Sequence, residues 1–233
     1  MSTETAKPDT TEAPPTTLTV PAAALRALLG RIRHFASRDD TLPALHGVHL
    51  AGSSGRLVAS ATDRYVMARD SVEATGELPP CLLSLRDAKV IRRVLSPYAR
   101  GAAGYSCSLV ELSVVGNEMS ALGNTLTVGV TDGQLAWPTV SIDSFPLDAV
   151  DQSLAGWTDE RSAEGIAIAA GNLAKFTKVA DHLDPVRVWL HGPEKPAHIR
   201  IGKTFHGVVM PVRLRDGTSL DVPATPDSAR EGR

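Results

Sequence analysis

Apolar residues recur along this chain at two periods, and the two alternate in the same order three times. Between about Ala22 and Ser37, Leu25, Leu28, Leu29, Ile32, Phe35 and Ala36 fall at i, i+3, i+4, i+7 spacing, which predicts an amphipathic helix with Pro21 at its entry, where a proline is tolerated. A second such stripe, Ala88, Ile91, Val94 and Leu95, runs from about Leu85 to Leu95 and stops at Pro97. Ser84 and Asp87 ahead of it resemble a capping box. A third, Leu173, Phe176, Ala180 and Leu183, spans about Asn172 to Leu183 and is followed by Pro185.

Short runs of strand character flank each helix. Leu18–Val20, Cys81–Leu83 and Ile166–Ala169 precede the three helices. LPALHGVHL, RLVASAT and RYVMARDSV follow the first; SLVELSVV, EMSAL and TLTVGVT the second; VRVWLHG, AHIRIG and FHGVVMPVRL the third. Ser54-Gly55, Gly116-Asn117 and Gly192-Pro193 mark turns, and GSSG at 52–55 reads as a hairpin loop. The fold class is therefore α+β, built of three β-α-β-β-β units that repeat in pattern rather than in identity. Two units form one domain over 18–131, a connector rich in Asp, Ser, Pro and Gly covers 132–165, and a half domain covers 166–214. The polar, Pro-containing ends, 1–17 and 215–233, read as disordered tails.

Composition narrows the function. With 233 residues, 42% of them hydrophobic and 21% charged, the chain has a core to bury. Only 4% are aromatic, too few for a surface that stacks single-stranded bases. No apolar run is long enough to span a membrane, and the N-terminus lacks the basic and apolar regions of a signal peptide. Two cysteines, Cys81 and Cys107, read as reduced thiols, and a cytoplasmic protein is expected.

The net charge of −2 conceals an asymmetry. Residues 22–38 carry Arg26, Arg31, Arg33 and Arg38 and no acid, a charge of +4. Residues 84–100 also carry +4, with Arg86, Lys89, Arg92, Arg93 and Arg100 against Asp87. Residues 171–183 carry +1 from Lys175 and Lys178 against Asp181, so the rest of the chain is acidic by 11 charges. A basic helix face is commonly just solvated. The same sign on equivalent helices of a repeat points instead to a surface for phosphates, making backbone contact rather than reading bases. Arg26, Arg31, Arg33, Lys89, Arg92, Arg93, Lys175 and Lys178 are the candidates.

LPALHGVHL, RLVASATDRYVMA, TDGQLAWPTVSIDSFP and GPEKPAHIRIGKTFHGVVMPVRL together resemble the bacterial DNA polymerase III beta sliding clamp family, over most of 18–214. The most specific stretches are ATDRY with Val66-Met67-Ala68, and the terminal VVMPVRL. The resemblance is to a shortened form: the second domain and the latter half of the third have counterparts here, the first domain none. It implies a clamp-like fold and a non-enzymatic platform, without cofactor or metal, for DNA replication or repair. In that family a helix-lined ring encircles duplex DNA and polymerases dock through a short peptide. The implied pocket draws on Leu45, Thr62, Tyr65, Met67, Pro146 with Val150, and Val208, Val209, Met210, Pro211, Val212, Arg213 and Leu214. The alternative is a regulator or decoy that competes for such peptides without encircling DNA.

Self-association is also expected. The apolar face Leu173, Phe176, Ala180, Leu183 has no second unit to cover it, so two half domains would pair into a dimer, and four chains of three units would supply a twelve-unit ring. The alternative is a monomer whose third unit folds back onto 18–131.

Other chemistry is thinly supported. His46 and His49, three apart in a strand, face opposite sides, whereas His191, His198 and His206 lie on neighbouring strands and can approach one another, though without a Cys or carboxylate at ligand spacing. Asp63 reads as a turn cap rather than a catalytic acid, Trp137 as a core residue, and Lys195, between prolines, as part of a turn. No phosphate-binding or nucleophile-elbow motif occurs.

Overall fold

A computed structural model of the chain describes residues 16–99, 108–116, 124–143, 145–156, 166–180 and 184–212. In the first unit, β1 (Thr17–Pro21) leads into α1 (Ala22–Ile32), followed by β2 (Gly47–Ser53), β3 (Arg56–Thr62), β4 (Val66–Glu73) and the short β5 (Thr75–Gly76). The second comprises β6 (Leu78–Ser84), α2 (Leu85–Val94), the one-turn α3 (Ser96–Ala99), β7 (Leu109–Val115), β8 (Thr125–Val130) and β9 (Gly133–Pro138). After α4 (Leu147–Ala155), the third comprises α5 (Ala170–Thr177), β10 (Val186–Trp189), β11 (Ala197–Ile201) and β12 (Phe205–Val209).

The strands form two antiparallel sheets whose order shows how the units interlock. One runs β5-β1-β7-β8-β9, the other β10-β11-β12-β4-β3-β2-β6. The first strand of each early unit thus lies in the sheet of the other: β1 pairs with β7, and β6 with β2. Helices α1 and α2 pack on one another, and Leu25, Leu28, Leu29 and Ile32 of α1 are buried with Ala88 and Ile91 of α2 in one core. At the start of α2, the Ser84 hydroxyl accepts the Asp87 N–H at 3.0 Å and donates to its carboxylate at 2.7 Å. The β2–β3 turn, Ser54-Gly55, holds both residues at positive φ, 52° and 77°, which suits the twist of a tight hairpin.

The third unit joins the first at the edge of a sheet. β12 pairs with β4, placing Val208 opposite Met67 and Val209 opposite Val66. Phe176 of α5 meets Phe35 at 4.9 Å and Phe205 at 6.2 Å between ring centroids. Gly207 makes room for it, since a Cβ there would lie 2.4 Å from the Phe176 ring.

Several expectations are corrected. GQLAWP, read as connector, forms β9, and α4 occupies the same connector. EMSAL lies outside the described residues. The first and third helices end at Ile32 and Thr177, each short of its expected bound. Residues 166–169 belong to no ladder. Phe176, expected to await a second copy, is covered within its own chain by Phe35 and Phe205. His46 precedes β2, so only His49 of that pair lies in a strand. The tail expected over 1–17 lies outside the described residues except at its end, where Thr17 already belongs to β1; that over 215–233 lies wholly outside them. Cys81 is a buried free thiol that burial pushes up to about 12, and Cys107 lies outside the described residues. Among the described residues, no helix is long and apolar enough to cross a membrane.

Candidate peptide groove and basic face

Strand alternation sorts the residues of the β4–β12 seam. Met67 and Val208 point to one side, into a cluster with Leu82, Phe145 and the α4 residues Val150 and Leu154; Val66 and Val209 point to the other, into the main core. The polar side of α4 is tied to the sheet through Asp151, which pairs with Arg69 of β4, and Arg69 Nε also donates to Ser60 Oγ at 3.0 Å. Beside Phe145 the His49 ring lies stacked, 5.2 Å away and 14° from parallel. Burial, and secondarily Arg69, lowers its pKa to about 4, so it is neutral at pH 7.

At the end of the seam the apolar surface opens. The Met210 N–H donates to the Tyr65 carbonyl at 2.9 Å, continuing the ladder one step past β12. Tyr65 is 63% exposed, Val212 46% and Met210 38%. The turn carrying Tyr65 is held firmly. Asp63 Oδ1 accepts the N–H groups of Tyr65 and Val66 at 3.1 and 2.9 Å, the buried Thr62 hydroxyl donates to the Val66 carbonyl at 2.9 Å, and Arg64 sits at φ 81°. The other Asp63 oxygen pairs with Lys175 of α5.

Of the expected pocket residues, the structure brings Met67, Val208 and Val150 into one cluster and Tyr65 and Met210 to its open end, with Thr62 beneath the turn. Half-buried Pro146 stands at the N-terminus of α4, and Pro211 lies between Met210 and Val212. Val209 is a correction: next to Val208 in a strand, it faces away from this surface. Leu45 is a second; it lies in the loop before β2, where its carbonyl accepts the Ser37 N–H, and is no part of this cluster. Arg213 and Leu214 lie outside the described residues. Sequence reasoning missed Phe145, Leu154, Leu82 and His49. The i, i+3, i+7 spacing of Leu147, Val150 and Leu154 was the available signal for α4.

The basic residues converge along α1, α2 and the C-terminal end of α5. Arg26, Arg33, Lys89, Arg92 and Arg93, with Ser96, line a cleft of about 310 Å³. Arg33 and Lys89 also line its neighbour of about 410 Å³, with His34, Arg38, Lys175 and Lys178. Among the described residues no carboxylate pairs with Arg26, Arg33, Lys89, Arg92, Arg93 or Lys178, and the buried Nε atoms of Arg26, Arg33 and Arg92 lack a hydrogen-bond acceptor. His34 registers the resulting field. Burial lowers its pKa first, then Arg33, Lys178, Arg92 and Arg38, together to about 4.

Two of the expected phosphate-facing cations are already paired. Arg31 Nε meets Asp70, whose side chain is wholly buried in β4, at 2.5 Å, so this arginine fastens α1 to the sheet. Lys175 borders the larger cleft, but its charge is balanced by Asp63. The histidines of the third unit approach one another, with His198 Nδ1 3.1 Å from His206 Nε2 and the His191 ring 5.1 Å from that of His198.

No family model matches the chain, and no curated protein matches it. Solved structures do. The DNA polymerase sliding clamp from Pseudomonas aeruginosa aligns over 89% of this chain and 69% of its own, with a TM-score of 0.62 at 14% identity. The DNA polymerase III beta subunit from Thermotoga maritima aligns over the same shares, 89% and 69%, with a TM-score of 0.65 at 16% identity. That from Borrelia burgdorferi, in complex with a natural product, aligns over 85% and 63%, with a TM-score of 0.63 at 10% identity. The interlocked units, the β4–β12 seam and the helix-lined basic face therefore belong to a chain with the fold of the DNA polymerase III beta sliding clamps.

Proposed function

We propose that this protein is a non-enzymatic, clamp-like platform that holds duplex DNA against its basic face and partner peptides at the open end of the β4–β12 seam. The carrying observation is the convergence of six cations, Arg26, Arg33, Lys89, Arg92, Arg93 and Lys178, that pair with no carboxylate among the described residues and come from the helices and helix ends of all three units. Phosphates are the complementary ligand for such a field, and the scarcity of aromatic residues suits contact with the backbone rather than the bases. Tyr65, Met210 and Val212 suit an anchor residue of aliphatic or aromatic character, because Met and Tyr offer adaptable apolar surface. DNA polymerases and repair proteins are the expected partners, and the cytoplasm the expected compartment.

Binding of duplex DNA followed against salt tests the first part. Affinity falls steeply with salt, and joint replacement of Arg26, Arg33, Lys89 and Arg93 by Ala flattens the slope. An unchanged slope overturns it. For the second part, a hexapeptide with Gln and spaced Leu and Phe binds with a Kd near 1 µM, about −8 kcal/mol, and Met210→Asp abolishes binding by placing an unpaired charge on an apolar surface. Calorimetry without heat for the unsubstituted protein removes the peptide role. A competing regulator is the second reading, favoured by the fact that Tyr65, Met210 and Val212 all come from one chain, so the anchor surface requires no ring. Retention on circular but not on linearised DNA separates a ring from a regulator.

A further inference from the structure

The first two units complete one another by a rule that the third unit obeys only in part. In each early unit the first strand lies between two neighbours. One is the end of its own unit: β5 pairs with β1, and Val140 bridges to Leu82 of β6. The other is the second strand of the other unit, β7 for β1 and β2 for β6. In the third unit the own-unit contact is present, since the Val212 N–H donates to the Ala167 carbonyl at 2.8 Å. The other contact is missing: among the described residues no strand lies on the free side of 166–169, and none lies beyond β10 at the edge of its sheet.

Two further positions carry the same deficit. The fourth helical residue is buried in α1 (Leu25) and in α2 (Ala88), whereas its equivalent in α5, Leu173, is 43% exposed. The second and fourth residues of the second strand are buried in β2 (Val48, Leu50) and in β7 (Val110, Leu112), whereas in β10 they are the exposed Arg187 and the half-buried Trp189. One protomer therefore offers an open strand edge, an unclaimed first strand and an uncovered helix face at once. Each is what a second copy of the same half domain supplies.

We infer that two copies of this chain complete one domain between them, residues 166–169 of each pairing antiparallel with β10 of the other and the two α5 helices facing across the two-fold axis. The contact is isologous, so both open edges close at once. The early units also set its register. The residue before the helix pairs with the first residue of the receiving strand in both cases, Pro21 with Leu109 and Ser84 with Gly47. The same rule puts Ala169 opposite Val186, Ile168 opposite Arg187 and Ala167 opposite Val188. This inference rests on the repeat, not on DNA or peptide binding, and stands or falls separately from them.

Light scattering and cross-linking on the full chain test it. The expected mass is twice 24.6 kDa. Leu173→Glu, at an exposed position in the protomer, returns it to one chain and weakens the dimer at least tenfold. With Cys81 and Cys107 replaced by Ser, Ala167→Cys combined with Val188→Cys yields a covalent dimer on oxidation, because directly opposed strand residues lie within disulfide reach. Ala167→Cys combined with Arg187→Cys does not. A single-chain mass at every concentration, a dimer indifferent to Leu173→Glu, or a 167–188 link confined to one chain overturns the inference.

Discussion

The junction between the first and second units and the junction between the first and third are built differently. The first is an exchange: β1 and β6 each lie in the other unit's sheet, and α1 and α2 close over a common core. Neither unit can leave without breaking two ladders. The second is a seam: one ladder between β4 and β12, with the Phe35–Phe176–Phe205 group on one face and the Met67–Val208 cluster under α4 on the other. An exchange makes a single cooperative body, whereas a seam makes a joint. The exposed apolar surface at Tyr65 and Met210 lies at the end of that joint.

The sharpest way to break this contrast is a pair of core truncations. Phe176→Ala costs about 3–5 kcal/mol, and Leu18→Ala in β1 about 2–5 kcal/mol. Hydrogen exchange separates them. Phe176→Ala loosens 186–209 and leaves 47–84 protected, while Leu18→Ala lowers protection in both sheets together. Equal loosening everywhere by Phe176→Ala removes the distinction between joint and body.

Next in size is the Arg31–Asp70 pair, which belongs to the exchanged body. Arg31→Met leaves a wholly buried carboxylate unpaired and costs about 3 kcal/mol in denaturant unfolding; adding Asp70→Leu recovers most of it. A double variant no better than the single one contradicts this account.

Acid acts on both parts. His34, His49, His198 and His206 each have a folded pKa lowered to about 4, chiefly by burial, from an ordinary 6.5. Between pH 6.5 and 4 the unfolded chain binds protons at these sites that the folded chain refuses. Stability therefore falls as pH drops through that window and is flat with respect to these groups above it. Melting temperatures from pH 7.5 to 4.5 check the sign, and His49→Phe together with His198→Phe shallows the fall. The smallest effect is Asp151→Asn on α4, under about 1 kcal/mol because the pair with Arg69 is solvent-exposed.

What could be read from the sequence follows from the range of each interaction. α1 and α2 were legible because their stripes are local, and the basic face because like charges on equivalent helices need no fine geometry to share a surface. Arg31 was misplaced because its partner, Asp70, is 39 residues away and nothing local marks the pairing. β9 was missed because its side chains are largely exposed and show no clean alternation, and α4 because nine residues behind a proline look like linker. Of the groove, the resemblance supplied Met67, Val208 and Met210. The exclusion of Val209 needed only strand parity, which the sequence contains. The cover formed by Phe145 and Leu154 depends on a helix docking across two units.

The exchange of β1 and β6 also bears on the order in which the chain takes shape during synthesis. Val20 waits for Val110, and the β2–β3–β4 hairpins form first with an open edge that only β6 can close. β12 then reaches back from Val209 to Val66. A ribosome delivering this chain cannot release it unit by unit, because the earliest strand has its ladder in a sheet made later. Such non-local closure is slow and leaves strand edges open meanwhile. The nascent chain therefore carries an open sheet edge, and with it a risk of aggregation, from the emergence of β4 until β12 closes that edge.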